Sequence, residues 1–437
     1  MTYQETCDYL YNQLPMFEQQ GASGYKEGLE NSIKLDEHFS HPHRKYRTIH
    51  IAGTNGKGSC AHTISAILQM CGYKVGLYTS PHLVDFNERI RINGNPIPED
   101  YVIDFVQNEK AFFEPLKPTF FELVTAMAFK YFADKAVDIA VIETGMGGRL
   151  DCTNIISPTL SIITNIGFDH TQFLGSTLEQ IAMEKAGIIK PKTPVVIGET
   201  SPETRQIFEV MAAEIKAPIT FAEDQREVID CMPFSDGLLY HTVHDGIIEG
   251  ELSGSYQENN TNTILCAIRK LEEIGLMYPL NTIPEEPCKN REIRLGFKQV
   301  CDLTGLKGRW QKVKDHPLTI CDTGHNVPGW TYLGEQLKNV PCKHRHIVFG
   351  MVEDKDIPGV MALLPKDATY YFTKANNKRS ASEGVLKLYG QELGLHGDSY
   401  PDVASAYNAA QKAAEEKDFV FIGGSSYVVA EFLKNCI

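Results

Sequence analysis

Gly53-Thr54-Asn55-Gly56-Lys57-Gly58-Ser59 is the segment whose residue types and spacing point most directly to chemistry. Glycines let backbone N–H groups approach an anion closely. A helix that follows adds the partial positive charge of its N-terminus, Lys57 can reach outer phosphates, and Ser59 can face a metal. The pattern departs from the standard Walker sequence. Ile51 stands where a first glycine would be, and Gly58 intervenes between Lys57 and Ser59. A plain Gly-rich turn with an incidental lysine is the bland reading. The order of strand, glycines, lysine, hydroxyl and helix favours phosphate binding over it.

Four more segments place polar side chains just after short apolar runs. Glu143 follows Ile139–Ile142 and opens Thr144-Gly145-Met146-Gly147-Gly148-Arg149. In a doubly wound sheet the C-terminal strand ends face the ligand crevice, so a carboxylate there suits Mg²⁺. It equally suits a simple strand end. His170, in Asn165-Ile166-Gly167-Phe168-Asp169-His170, can ligate a metal, with Asp169 orienting it. Ser80 offers a hydroxyl from Ser80-Pro81-His82. In the second half, Asp322 ends an apolar run and Arg309 can clamp a phosphate. Two segments have strong local explanations. Lys185, before Gly187, fits helix C-terminal capping. Thr119 and Glu122 fit a capping box.

These residues need a frame to hold them. Thr48–Gly53 reads as a strand, and Ala61, Ile64, Ile67, Leu68 and Cys71 then share one helical face. Val75–Thr79, Leu160–Thr164 and Pro194–Ile197 are further strands. Short apolar strands alternating with helices imply an α/β chain with a parallel sheet covered on both faces. Glu223–Gly254 reads as hairpins or a loop-rich insertion. A helix is expected over Asn260–Ile274 and a loop over Pro279–Pro287. A second α/β series follows Arg309, with strands at Leu318–Cys321, His346–Gly350, Tyr370–Thr373 and Phe419–Ile422. This puts a domain boundary near residue 312.

The 437 residues suggest two large domains or about three at ~150 residues each. With 42% hydrophobic and 22% charged residues, the composition excludes disordered and fibrous classes. No apolar run approaches a membrane span. The first twenty residues hold Glu5, Asp8 and Glu18 but no Lys or Arg, unlike a secretory signal. A net charge of −14 excludes a global basic field for nucleic acid, so an anionic ligand needs a local cationic site. Eleven scattered cysteines without a CxxC pair fit free thiols in a reducing compartment, and a cytoplasmic location is expected.

Taken together, the motifs resemble the Mur ligase superfamily, and within it the folylpolyglutamate synthase/dihydrofolate synthase family. The resemblance runs through Gly53–Ser59, Thr79–Leu83, Glu143–Asp151 with Thr153-Asn154, Asn165–His170, Glu184–Ile188, Gly308-Arg309, Asp322–Asn326 and Gly424-Ser425. It implies a P-loop-type ATP-binding domain with a mostly parallel sheet over residues 1–312. A smaller Rossmann-like α/β domain then covers 313–437. It implies an ATP-dependent amide ligase in which Thr54, Asn55, Gly56, Lys57, Gly58 and Ser59 hold ATP phosphates. Asn260, Arg309, Asp322 and His325 then hold the rest of the nucleotide. Ser80 and Glu143 serve one Mg²⁺, and His170 serves a second metal site. Lys185 matches a lysine that the family carries as a carbamate. The pterin side is implied at Lys26, Glu27 and Gly28, at Thr119, Phe120, Phe121 and Glu122, and at Leu150, Asp151 and Cys152. The catalytic set is then Lys57, Lys185 and His170.

The implied reaction converts an acceptor carboxylate to an acyl phosphate, which the amino group of L-glutamate attacks. The expected substrates are dihydropteroate, reduced folates and L-glutamate, with ATP and Mg²⁺. A monomer without nucleic-acid or membrane partners is expected. The bifunctional reading stands against a monofunctional folylpolyglutamate synthase. A cell-wall Mur ligase and a nucleotide switch that performs no ligation are further alternatives.

Overall fold

The computed structural model describes residues 1–16, 26, 28–235, 237–277 and 290–437. Glu27 and the expected loop at 279–287 lie outside the described residues. The chain divides into two compact units. One comprises Met1–Glu251 and Gln257–Leu306, the other Leu252–Tyr256 and Lys307–Ile437.

The first unit contains β1 (Arg47–Ala52), β2 (Val75–Tyr78), β3 (Ile90–Ile92), β4 (Asn95–Pro96), β5 (Ile139–Glu143), β6 (Leu160–Ile163), β7 (Val195–Ile197) and β8 (Ile219–Phe221). They form one sheet in the order β4-β3-β2-β5-β1-β6-β7-β8. From β2 to β8 every pairing is parallel, while β3 and β4 add an antiparallel edge. The central strands β5 and β6 are fully buried along their length, as a sheet covered on both faces requires. The helix Lys57–Met70 covers one face with Cys60, Ala61, Ile64, Ile67 and Leu68. The helix Phe120–Asp134 covers the other with Leu123, Val124, Met127 and Phe132.

A separate antiparallel sheet is formed by β9 (Val228–Phe234), β10 (Gly237–Thr242) and β11 (Ile247–Gly250). It occupies the stretch expected to be hairpins or insertion. The helix after it runs Gln257–Glu273, three residues earlier than expected.

The second unit has the sheet order β12-β13-β17-β14-β15-β16. Its strands are β12 (Gln311–Asp315), β13 (Leu318–Asp322), β14 (Arg345–Phe349), β15 (Ala368–Phe372), β16 (His396–Ser399) and β17 (Phe419–Gly423). Only β12 runs antiparallel. Trp330, Phe349, Phe372 and Phe421 pack one face, and Val348, Val420, Ile422 and Phe432 the other. Two α/β units with parallel-rich sheets are the architecture that the strand–helix alternation implied.

Candidate active site

Strands β2, β5, β1, β6 and β7 lie side by side and parallel, so their C-terminal ends share one edge. Across that edge the sequence places Ser80, Glu143, the Gly53–Gly56 loop, Asn165–His170 and Glu199, in that lateral order. Residues far apart in the chain are thereby gathered by sheet order alone.

The loop is built so that only glycine fits its closest approaches. Gly53 has φ +148°, and a Cβ there would lie 1.8 Å from Thr164 Oγ1. Gly56 has φ +82°, and a Cβ there would lie 2.2 Å from Asn260 Oδ1. Gly56 caps the helix that Lys57 begins, without a side-chain bond to its first amides. Those amides therefore keep their capacity for an anion. The loop is tied to the segment after β6. Thr54 N donates to Asn165 O at 3.0 Å, and Thr164 Oγ1 donates to Asn55 O. Thr54 Oγ1 donates to Gly167 O and accepts from Gly167 N. Asn55 N donates to Asn165 Oδ1 at 2.9 Å. The buried Gln257 donates from Nε2 to Ser59 Oγ at 3.2 Å and accepts from Asn260 Nδ2 at 2.8 Å.

Two lysines meet at this loop. Lys57 Nζ donates to Gly53 O at 3.0 Å and to Thr54 O at 3.2 Å. Lys185 Nζ donates to the same Gly53 O at 2.9 Å and is 4% exposed. The capping explanation for Lys185 is thus corrected: its tip reaches the Gly-rich loop, not the carbonyls ending its own helix. Gly187 ends that helix in a right-handed conformation. Its role is close packing, since a Cβ there would lie 2.3 Å from Arg149 Cα. Burial, followed by the charge of Lys57, lowers the Lys185 pKa from its usual value to about 7. Asp169 and Asp151 act in the opposite direction.

Glu143 ends β5 and is buried. Its Oε2 accepts from Ser80 N at 3.3 Å, so the two residues expected to serve one cation are neighbours. His170 is half-buried, with φ +50°. Its backbone N donates to Asp169 Oδ1 at 2.8 Å, and its Nε2 lies 4.0 Å from that oxygen. Among the described residues no group of three or more His, Cys, Asp or Glu side chains is placed to hold a metal ion. A carboxylate beside a serine suits a hard cation that takes its remaining ligands from phosphate and water, which is how Mg²⁺ usually binds.

On the side expected to face the pterin, Thr119 and Glu122 form a full capping box. Thr119 N donates to Glu122 Oε2 at 2.6 Å, and Glu122 N donates to Thr119 Oγ1 at 3.2 Å. Phe120 is buried under the Arg89 guanidinium, 5.0 Å from the ring centre. Phe121 stacks on Tyr78 and lies against Gly145, where a Cβ would come within 2.5 Å of its ring. Asp151 accepts from Met146 N and from Thr153 N and Oγ1. Burial raises its carboxyl pKa and pushes the neighbouring Cys152 thiol well above its usual range. A narrow pocket is lined by Ser32, Asp36, Phe39, Glu122, Phe129 and Cys152, among others. Leu150 is half-buried, Lys26 is exposed, and Gly28 has φ +112°. Among the described residues, nothing lies within 4 Å of where a Cβ on Gly28 would stand.

The second unit holds its own polar cluster at the end of β13. Asp322 is buried and accepts from Tyr256 Oη at 2.7 Å, Trp310 N at 2.7 Å and Gly324 N at 2.8 Å. Burial raises its pKa against the pull of these donors and of Arg309. Arg309 donates to Thr323 Oγ1, and His325 Nδ1 donates to Thr323 O at 3.0 Å. The three expected nucleotide contacts in this unit therefore converge on one short turn.

Sequence reasoning missed Gln257 and Glu199. Glu199 stands outside any motif. Gln257 sits beside Asn260 in the stretch where the family pattern is weakest, and its only available signal was the polar first turn of a helix.

Residues 51–268 match the Mur ligase middle domain, and residues 308–426 match the Mur ligase glutamate ligase domain. A dihydrofolate synthase/folylpolyglutamate synthase of Bacillus subtilis is 32% identical, over 99% of this chain and 98% of its own. FolC of E. coli, solved in complex with DHPP and ADP, superposes with a TM-score of 0.82 at 29% identity, covering 99% of this chain and 97% of its own. The bifunctional enzyme of Yersinia pestis, complexed with AMPPNP and Mn ion, gives 0.81 at 29% identity, covering 100% and 98%. With the loop, the strand-end carboxylate and both lysines in place, this chain belongs to the dihydrofolate synthase/folylpolyglutamate synthase family of Mur ligases.

Proposed function

We propose that this chain is an ATP-dependent ligase that adds L-glutamate to dihydropteroate and to folates through an acyl phosphate. The observation that carries this reading is the Lys57 ammonium on the Gly53 carbonyl, beside the N-terminus of the helix Lys57–Met70, whose first amides no side chain caps. A protein of net charge −14 binds ATP and acidic substrates only where cations are gathered locally.

In this reading a carboxylate oxygen of the acceptor attacks the γ-phosphorus of ATP, and the bond to ADP breaks. The neutral amine of glutamate then attacks the acyl carbon and gives up a proton to solvent, and phosphate leaves from the tetrahedral intermediate with the bonding electrons. Lys57 and the backbone amides of residues 57–59 stabilise charge on the transferring phosphoryl group. Ser80 and Glu143 would hold Mg²⁺, which would neutralise phosphate charge, and His170 would serve a second metal. Thr54, Asn55 and Asn260 shape the loop, while Arg309, Asp322 and His325 would hold the rest of the nucleotide. Residues 1–312 act as the ATPase domain and 313–437 as the ligase domain. The acceptor would lie on the side of Thr119–Glu122 and Leu150–Cys152.

Lys185 acts as a carbamate. Carbamylation needs an uncharged amine, and the lowered pKa of Lys185 supplies one near neutral pH. The family's substrates are small molecules. Among the described residues no helix is long and apolar enough to cross a membrane. A cytoplasmic monomer is the simplest setting for this activity.

The decisive experiment runs dihydropteroate and tetrahydrofolate in parallel, each with ATP, Mg²⁺ and L-glutamate. Glutamylation of both is expected. Extension of tetrahydrofolate alone would make the enzyme a monofunctional folylpolyglutamate synthase. ATP turnover indifferent to acceptor and glutamate would refute ligation.

A further inference from the structure

Glu199 follows β7, at the far side of the strand-end edge from Glu143. Its two carboxylate oxygens accept from two asparagine amides. Asn165 Nδ2 donates to Oε1 at 3.3 Å, and Asn259 Nδ2 donates to Oε2 at 2.8 Å. Each asparagine leads to the Gly-rich loop by a different route. Asn165 turns its Oδ1 to the Asn55 N–H at 2.9 Å. Asn259 precedes Asn260, whose Oδ1 lies where a Cβ on Gly56 would point. The same first helical turn sends Gln257 to Ser59.

We infer that Glu199 is a positioning residue for the phosphate loop, setting the orientation of Asn165 and anchoring the first turn of the helix Gln257–Glu273. The reasoning is one of donors and acceptors. A side-chain amide has one face that accepts and one that donates. Asn165 must present its oxygen to Asn55 N–H, so its NH₂ must face a pure acceptor. Asn259 likewise presents NH₂. A carboxylate satisfies both at once, with charge-assisted bonds. A glutamine in its place carries one acceptor and one donor and satisfies only one neighbour. The other must turn or separate, and either movement changes the loop or the helix turn that faces it. This inference rests on the reading of Gly53–Ser59 as the ATP phosphate site.

The test compares wild type, Glu199→Gln and the double variant Glu199→Gln/Asn259→Asp. In the double variant the glutamine NH₂ can donate to the carboxylate introduced by Asn259→Asp, while its oxygen accepts from Asn165. Both the hydrogen-bond pattern and the net charge return. ADP binding is measured by calorimetry in the presence of Mg²⁺, and KM for ATP and kcat are measured separately. Glu199→Gln is expected to weaken ADP binding and raise KM for ATP by about tenfold, the scale of one charge-assisted bond. The double variant is expected to recover most of that loss. A single variant that binds ADP like wild type would overturn the inference. So would a double variant as weak as the single one, since a role in packing alone predicts no such rescue. Wild-type protein that fails to bind ADP would instead overturn the phosphate-site reading, and the inference with it.

Discussion

The buried amine of Lys185 gives the most direct chemical prediction. An ordinary lysine has a pKa of about 10.4, so about one in a thousand is neutral at pH 7.5. With a pKa of about 7, roughly three quarters of Lys185 is neutral at that pH, several hundred times more. The neutral nitrogen can attack dissolved CO₂, forming a carbamate and releasing a proton. The product also suits its surroundings. Lys57 disfavours a second ammonium at Gly53 O but attracts a carbamate, and the carbamate N–H can still donate to that carbonyl. Protein equilibrated with ¹³C-bicarbonate at pH 7.5 should show a carbamate resonance that Lys185→Met lacks. Lowering the pH to 6 should remove most of the neutral amine and diminish the signal. Activity should fall in CO₂-depleted buffer and return on adding bicarbonate. Lys185→Ala should lose activity and regain part of it with a short carboxylate. A spectrum identical to that of Lys185→Met, together with activity indifferent to CO₂, would refute the reasoning.

Lys57→Ala removes an ammonium from the loop and should lower kcat/KM by about a hundredfold or more with an unchanged circular dichroism spectrum, on the scale of a lost charged contact in the transition state. Gly56→Ala combines a positive φ with a Cβ 2.2 Å from Asn260 Oδ1. It should raise KM for ATP, and Asn260→Ala in the same protein should relieve the clash but leave the backbone cost of about 1 kcal/mol. Glu143→Gln keeps the shape at the end of β5 but removes the charge a hard cation prefers, so a Mg²⁺ titration of activity should shift to higher concentration. Phe121→Ala empties the space between Tyr78 and Gly145. It should impair dihydropteroate glutamylation more than folate glutamylation, measured as the ratio of the two kcat/KM values.

The parts of the site legible in the sequence are those whose chemistry is local. A loop between a strand and a helix must use glycine where its backbone runs at positive φ close against neighbouring side chains, and Gly53 and Gly56 advertise that need in their own segment. Apolar strands ending in Glu143 or Asp322 are visible for the same reason. What stayed hidden depends on which strands are neighbours. From its local setting alone Lys185 fits a capping residue, since Gly187 two residues on marks a helix end, and only the resemblance to the family singles it out. Its partner, Gly53 O, comes from a different βα unit and is brought close only by the packing of the two segments. Helix Gln257–Glu273 begins earlier than the apolar periodicity suggests because its first turn is polar. That polarity is spent on Ser59 and Glu199 instead of solvent. Glu199 had no signal at all, since one carboxylate after a short strand is common on any surface. Its place at the edge follows from β7 lying next to β6, a fact of strand order. The sheet therefore does more than support a loop encoded elsewhere. By setting β2, β5, β1, β6 and β7 in line, it places Glu143 and Glu199 on either side of the Gly-rich loop. With the Lys57 ammonium and an uncapped helix N-terminus, that loop can hold an anion in a protein whose overall charge would repel one.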